Sequence, residues 1–155
     1  LWDDGTELNA KDVAFSVKLM LCPLTNNAQI RSNYTTVIKS IELDPKNPMK
    51  FTMHAQNIHW DNKFIFSELF IQQKSLWDPK RVLDNVTFEN LLSENFNETV
   101  VLQEWFNEYN NADNSYKPNL LTGLGAYQVT EWEASQYITI VKKENWWGFQ
   151  GHFSI

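Results

Sequence analysis

The chain has 155 residues, 43% apolar and 14% aromatic, enough to bury the core of one ordinary domain and too apolar for a disordered polypeptide. A formal net charge of -6 and a pI near 5.0, without clustered Lys and Arg, exclude a phosphate-neutralising nucleic-acid surface. One cysteine, Cys22, and three histidines exclude an intrachain disulfide and the cysteine-rich zinc patterns, and no apolar run reaches the ~20 residues of a membrane helix.

Asp4-Gly5 reads as a turn. Asn9 then offers an N-cap with Asp12 three positions on, and Ala10, Val13, Ala14, Val17, Met20 and Leu21 recur at helical spacing up to Pro23, which predicts an amphipathic helix. Cys22 is expected as a buried thiol at its end. Residues 24–36 are polar and read as a loop or a short irregular helix. Val37 to Leu43 and Met49 to Ala55 alternate on either side of "DPKNP", a β-hairpin with one wet face. Phe64, Ile65, Phe66, Leu69 and Phe70 predict a mostly buried helix between Asp61 and Gln72, and Asp78-Pro79 reads as an N-cap followed by Pro at the first helical position. "TFENLLSEN" is a short helical stretch. Val101, Leu102, Trp105, Phe106 and Tyr109 form the stripe of a longer helix, with Glu98, Glu104 and Glu108 on its solvated side. "NNADNSYKPN" is the linker candidate, and two strands follow, about 126–132 and 137–141, joined by residues 133–136.

Little of this pattern points to reaction chemistry. His54 and His59 are five apart, a spacing that neither a helix nor a strand places on one face, so no metal site is expected. The chain has no G-x-S-x-G elbow, no P-loop and no histidine evidently partnering Cys22, so no catalytic residue is assigned. Asp3, Asp4, Asp12, Glu131 and Glu133 read as solvated surface charge, with Asp12 supporting a helix N-terminus, against an alternative in which folding pairs two of them as acid and base. Gly123 and Gly125 are followed by a strand rather than the helix of a dinucleotide loop. They are expected to take backbone conformations that a side chain resists. Trp132, Trp146 and Trp147 serve either packing or the stacking of a sugar or peptide. The three N-x-[ST] triplets, at Asn33, Asn85 and Asn97, are about what seventeen asparagines and the Ser/Thr content produce by chance.

Two separated stretches carry a resemblance. "WDDGTELNAKDVAFSVK" is similar to the pattern W-x-D-G-x-x-L-T-A-x-D-V-x-F-S through Trp2, Asp4, Gly5, Leu8, Ala10, Asp12, Val13, Phe15 and Ser16. "GLGAYQVTEWEASQYITIVKKENWWG" is similar to G-x-G-P-Y-x-[VL]-x-x-W-x-x-G-x-x-[IL]-x-L-x-R-N-x-x-Y-W-G through Gly123, Gly125, Tyr127, Val129, Trp132, Ile138, Ile140, Asn145, Trp147 and Gly148. With the segment from Val37 to Asp44 between them, the chain resembles the family 5 solute-binding proteins of ABC importers, the oligopeptide- and dipeptide-binding class. It departs from the pattern at Asn9 for Thr, Ala126 for Pro, Ser135 for Gly, Lys143 for Arg and Trp146 for Tyr, and has an extended helical stretch over about 82–118.

The resemblance implies an α+β fold of mixed helices and antiparallel hairpins, as in the accessory subdomain of a type II periplasmic-binding-protein-like lobe. Residues 1–120 would be that accessory subdomain of the first lobe, and residues 121–155 a strand pair leading back into the main lobe, with Tyr127 and Trp132 anchoring it. Whole members are much longer and close two lobes around a ligand, so the chain is expected to be an excerpt whose export signal or lipid anchor lies outside it. The resemblance further implies a non-enzymatic, periplasmic or otherwise extracytoplasmic protein without cofactor. Its partners would be a peptide or other small solute, the remainder of its own two-lobed protein and the membrane permease of an ABC transporter, and no nucleic acid. In relatives most ligand contacts come from the opposite lobe. Within this chain Asn33 and Tyr34, in the polar stretch after the first helix, are the candidate ligand-binding residues, chosen for exposure and aromatic character. The competing reading is a free-standing extracellular carbohydrate- or protein-interaction module using exposed aromatics.

Overall fold

The computed structural model describes residues 1–144 and 146–149. Asn145 of the second motif and the end of the strand-pair segment, 150–155, lie outside the described residues. Helices and two separate two-stranded antiparallel sheets make up the described chain, an α+β architecture. It divides into two compact units, Asn9–Asn110 on one hand and Leu1–Leu8 with Asn111–Ile155 on the other.

The unit Asn9–Asn110 is built around helix α1 (Ala10–Leu21). Asn9 caps it in a capping box: its side chain accepts the Lys11 N–H at 2.9 Å while Asp12 Oδ2 accepts the Asn9 N–H at 3.0 Å. The helix is not the amphipathic element expected, because ten of its twelve residues are buried and only Lys11 and Lys18 escape. Asp12 is likewise not solvated. Its carboxylate is 4% exposed, and its second oxygen accepts the Lys74 N–H at 2.9 Å, while Ser16 Oγ accepts the Gln72 N–H at 2.8 Å. Two polar side chains on one face of α1 thus hold a segment nearly sixty residues away in sequence.

Within the stretch read as a loop or a short irregular helix, the helical alternative holds: residues 28–35 form α2 (Ala28–Thr35), with Asn27 accepting the Ile30 N–H at 3.0 Å as its cap. Strands β1 (Ile38–Leu43) and β2 (Phe51–Ala55) make the expected hairpin, Leu43 opposite Phe51. A register shift between Ile38 and Ser40 breaks strict alternation, so Ile38 and Ile41 are the pair that enters the core. The buried helix expected before Gln72 is only α3 (Asn62–Ser67), none of it buried. Ile65, Phe66 and Leu69 lean on the core, whereas Phe64 and Phe70 do not, because three consecutive apolar residues cannot share one helical face.

Asp78 ends helix α4 (Lys74–Trp77) instead of starting one. Its buried carboxylate caps a different element, accepting the Val82 and Leu83 N–H groups at 2.7 and 3.0 Å at the 3-10 turn Val82–Asn85, and Pro79 lies in the intervening turn. Helices α5 (Phe88–Leu92) and α6 (Val100–Tyr109) are capped by Thr87 and Thr99. In α6 Leu102 and Phe106 are buried and Trp105 stacks on Tyr109 at 5.2 Å, while Val101, part of the expected stripe, is 60% exposed. Cys22 is buried at the end of α1, and burial pushes its thiol up to about 11, which keeps it unreactive.

In the other unit the segment read as a linker takes 3-10 turns at Ala112–Tyr116 and Pro118–Leu120. Gly5, at φ +82°, turns the chain back so that Trp2 is buried. Asp3 accepts the Gly123 N–H at 3.1 Å and pairs with Lys143, whose ammonium also donates to the Gly123 carbonyl at 2.9 Å. Strands β3 (Tyr127–Glu133) and β4 (Tyr137–Lys142) pair with a shift between Val129 and Glu131. Trp132 packs edge-on against Tyr116, but Tyr127, expected as an anchor, is 55% exposed. The expectation for Gly123 and Gly125 also fails: neither sits at positive φ, and a Cβ at either would meet nothing closer than 4.0 Å. The glycine that close approach does require is Gly148, where a Cβ would run into the Trp146 ring.

Ser135 occupies the position where the family pattern has glycine, and its φ of 64° shows why: it is the third residue of the Glu133–Gln136 turn, where a positive φ is needed. Ser135→Gly is expected to raise stability by about 0.5–1 kcal/mol, the relief of left-handed strain less glycine's extra chain entropy. Asp12→Ala should cost about 2–4 kcal/mol by orphaning two backbone donors, against less than ~0.5 for Lys11→Ala beside it. Urea unfolding of each variant checks both expectations.

Candidate functional site

The sequence-predicted pair lies on the last turn of α2. The ring of Tyr34 is not exposed, as supposed, but 7% exposed, because it spans from α2 to the end of α3 and donates its hydroxyl to the Glu68 carbonyl at 3.2 Å. Burial first, and the nearby Glu68 charge second, hold its phenol above the usual range. Asn33 is exposed, with its carbonyl oxygen accepting from Gln29 Nε2 at 3.2 Å. Around them is a hollow of 300 Å³, lined also by Ser32, Thr36, Ile65 and Glu68. Its chemistry is a neutral amide, hydroxyls, one aliphatic wall and one carboxylate. Such a surface suits hydrogen bonds and a positive group, not covalent catalysis.

Glu68 escaped the sequence reading because it falls within the segment expected to be a mostly buried helix, of which it is in fact the C-cap, thirty-four positions from Tyr34. An acidic residue punctuating an aromatic run was the available signal. The other candidates are scattered into local roles. Asp4 Oδ1 accepts from the Thr6 N–H and hydroxyl at 2.9 and 2.7 Å, and Glu131 Oε1 accepts from the Tyr137 hydroxyl at 2.8 Å. His54 faces Glu42 at 3.4 Å and His59 rests on Trp60 at 5.6 Å. Among the described residues no three His, Cys, Asp or Glu side chains converge as a metal site would need, and no helix is long and apolar enough to cross a membrane.

The burial of Trp2, Asp12, Phe15 and Ser16 marks the first motif as a structural signature, and the profile of the bacterial extracellular solute-binding proteins, family 5 Middle, matches residues 1–153. The chain belongs to that family. No curated protein and no solved structure matches it. Family 5 solute-binding proteins are a binding family, serving ABC import from outside the cytoplasm. They engage a small solute and a membrane permease.

Tyr34→Phe in this solute-binding chain should cost about 1 kcal/mol through the lost Glu68 hydrogen bond, without opening a cavity. Because the folded state raises the Tyr34 pKa, the associated stability is complete below the unfolded value near 10.0 and is lost as pH rises through the folded one. Alkaline unfolding curves should therefore flatten in the Phe variant, leaving the share contributed by the Cys22 thiol and by Tyr109 and Tyr137, all of which are also raised.

Proposed function

We propose that this chain is part of the first lobe of a peptide-binding member of the family, with residues 1–120 as its accessory subdomain and Asn33 and Tyr34 on the solute side. The observation that supports this most is the hollow at the end of α2, which Asn33 and the acidic Glu68 both line and which the Tyr34–Glu68 hydrogen bond braces. A peptide is the solute class with a terminal ammonium for Glu68 and backbone amides for Asn33. Tyr34 acts by holding the wall together and presenting its ring edge. Recognition is non-covalent, and the closing of two lobes around solute shifts a population of open and closed states. The protein is not an enzyme in this reading, and it works outside the cytoplasm, either exported or anchored at the membrane.

The interaction-module reading keeps one supporting fact, the exposure of Trp60 and Trp147 at 71% and 68%. Calorimetric titration of the intact protein with peptide and oligosaccharide pools separates the two. Peptides should bind, and Glu68→Gln should weaken those with a free terminal amine about fivefold, near 1 kcal/mol, while leaving acetylated ones unchanged. Asn33→Ala should weaken both kinds by a similar factor. Binding of oligosaccharides alone, abolished by Trp60→Ala, would overturn the peptide assignment.

A further inference from the structure

A second concavity in the unit Asn9–Asn110, of 360 Å³, shares no lining residue with the Asn33–Tyr34 hollow. Its charge is opposite to that of the chain. Lys11, Lys18, Lys74 and Arg81 line it against one carboxylate, Asp84, a local excess of three positive charges in a protein of net charge -6. The clustering follows from the fold. Lys11, Ala14 or Phe15, and Lys18 lie three to four residues apart on the least buried stripe of α1, and Asp12 and Asp78 fasten the segments bearing Lys74 and Arg81 beside that stripe.

Not all of this charge is neutralised internally. Lys18 spends its ammonium on the Leu83 carbonyl at 2.7 Å, and burial, with Lys74 also close by, lowers its pKa. Asp84 serves two cations, Lys74 at 3.1 Å and Arg81 Nε at 2.7 Å. Among the described residues, neither Lys11 nor the terminal guanidinium nitrogens of Arg81 meet a carboxylate. Arg81 is also one of two non-glycine residues at positive φ among the described residues, at 60°, a strained backbone beside the concavity. Between the cations the floor is apolar, formed by Phe15, Leu43 and Leu83, and Leu43 is still 37% exposed. The volume falls in the lower part of the ~300–1,000 Å³ range of small-ligand sites.

The geometry points to a binding site for a small amphipathic anion, its carboxylate or phosphate ester held by Lys11 and Arg81 and its short apolar body laid on Leu43, the accessible part of the apolar lining. A charged head in a partly desolvated basic concavity gains from several cations at once, and the guanidinium's planar fork suits an oxyanion. This inference does not rest on the peptide reading and would survive its failure.

The test is titration of the intact, isotope-labelled protein at low ionic strength with sodium hexanoate, hexyl phosphate, hexanol and inorganic phosphate, following the amide resonances of Phe15 and Leu83. Hexanoate or hexyl phosphate should shift them saturably, and whichever binds tighter identifies the head group. Hexanol and inorganic phosphate should each bind at least about tenfold more weakly. Lys11→Gln, whose side chain holds no part of the fold together, should reduce affinity severalfold. Lys11→Gln with Arg81→Gln should abolish saturation while leaving the amide resonances remote from the concavity in their native positions, and Lys63→Gln should change nothing. The proposal is overturned if hexanol or inorganic phosphate binds as well as the amphipathic anions, if neither anion shifts these resonances, or if the double variant binds as the parent does.

Discussion

The fold of the larger unit depends on one buried carboxylate. Asp12 receives the backbone N–H of Asn9 on its own helix and that of Lys74 from far along the chain, and Ser16, one turn on, receives that of Gln72. A buried backbone donor without a partner costs free energy comparable to a lost hydrogen bond, so the segment 72–74 can pass the core only where such acceptors wait. Once it is held, the rest follows locally. Gln72 reaches the Tyr109 hydroxyl at 2.8 Å, Trp77 packs on the same ring, and Asp78 caps the next turn. The apolar residues of α1 supply the driving force, but Asp12 and Ser16 decide which part of the chain may lie against them.

This explains how a sequence motif can identify a family without marking its ligand site. The residues of the first motif are fasteners: Trp2 is buried, Gly5 takes a left-handed turn, Asp12 and Ser16 bolt two segments together, and Phe15 is 2% exposed. Their chemistry would be equally useful around any solute. The groups that differ in what they could hold, Asn33, Glu68, Lys11 and Arg81, sit on the rims of hollows where nothing in the packing dictates them.

What was legible in the sequence was local. The capping box at Asn9, the hairpin about DPKNP and the β3–β4 pair rest on neighbouring residues and periodicity, and they stand as read. Where burial was inferred from hydrophobicity alone, it failed in both directions. The aromatic run before Gln72 stays largely outside, while polar Asp12, Gln73 and Asp78 go in. Burial is set by which distant segment arrives, and a polar residue is admitted when it meets that segment's unpaired backbone groups. Tyr34 shows the same limit: in a polar stretch it reads as exposed, yet a carbonyl thirty-four residues on gives its hydroxyl a partner inside. The many asparagines, opaque in the sequence, turn out to cap and clamp. Asn27 and Asn111 start helical turns, and Asn110 donates to the Leu24 carbonyl while accepting from the Asn26 N–H.

The contact of Asp3 with Gly123, 120 residues apart, has a bearing on the order of events during synthesis. The unit Asn9–Asn110 is continuous, so every group it needs has left the ribosome once Asn110 emerges. The first eight residues must wait longer for their partners. Since closing a loop costs entropy that grows with the length of free chain, prior folding of the inserted unit shortens the loop that Asp3 must close. The discontinuous unit is therefore completed after the continuous one, and Trp2 waits for its cover until residues past 110 have emerged.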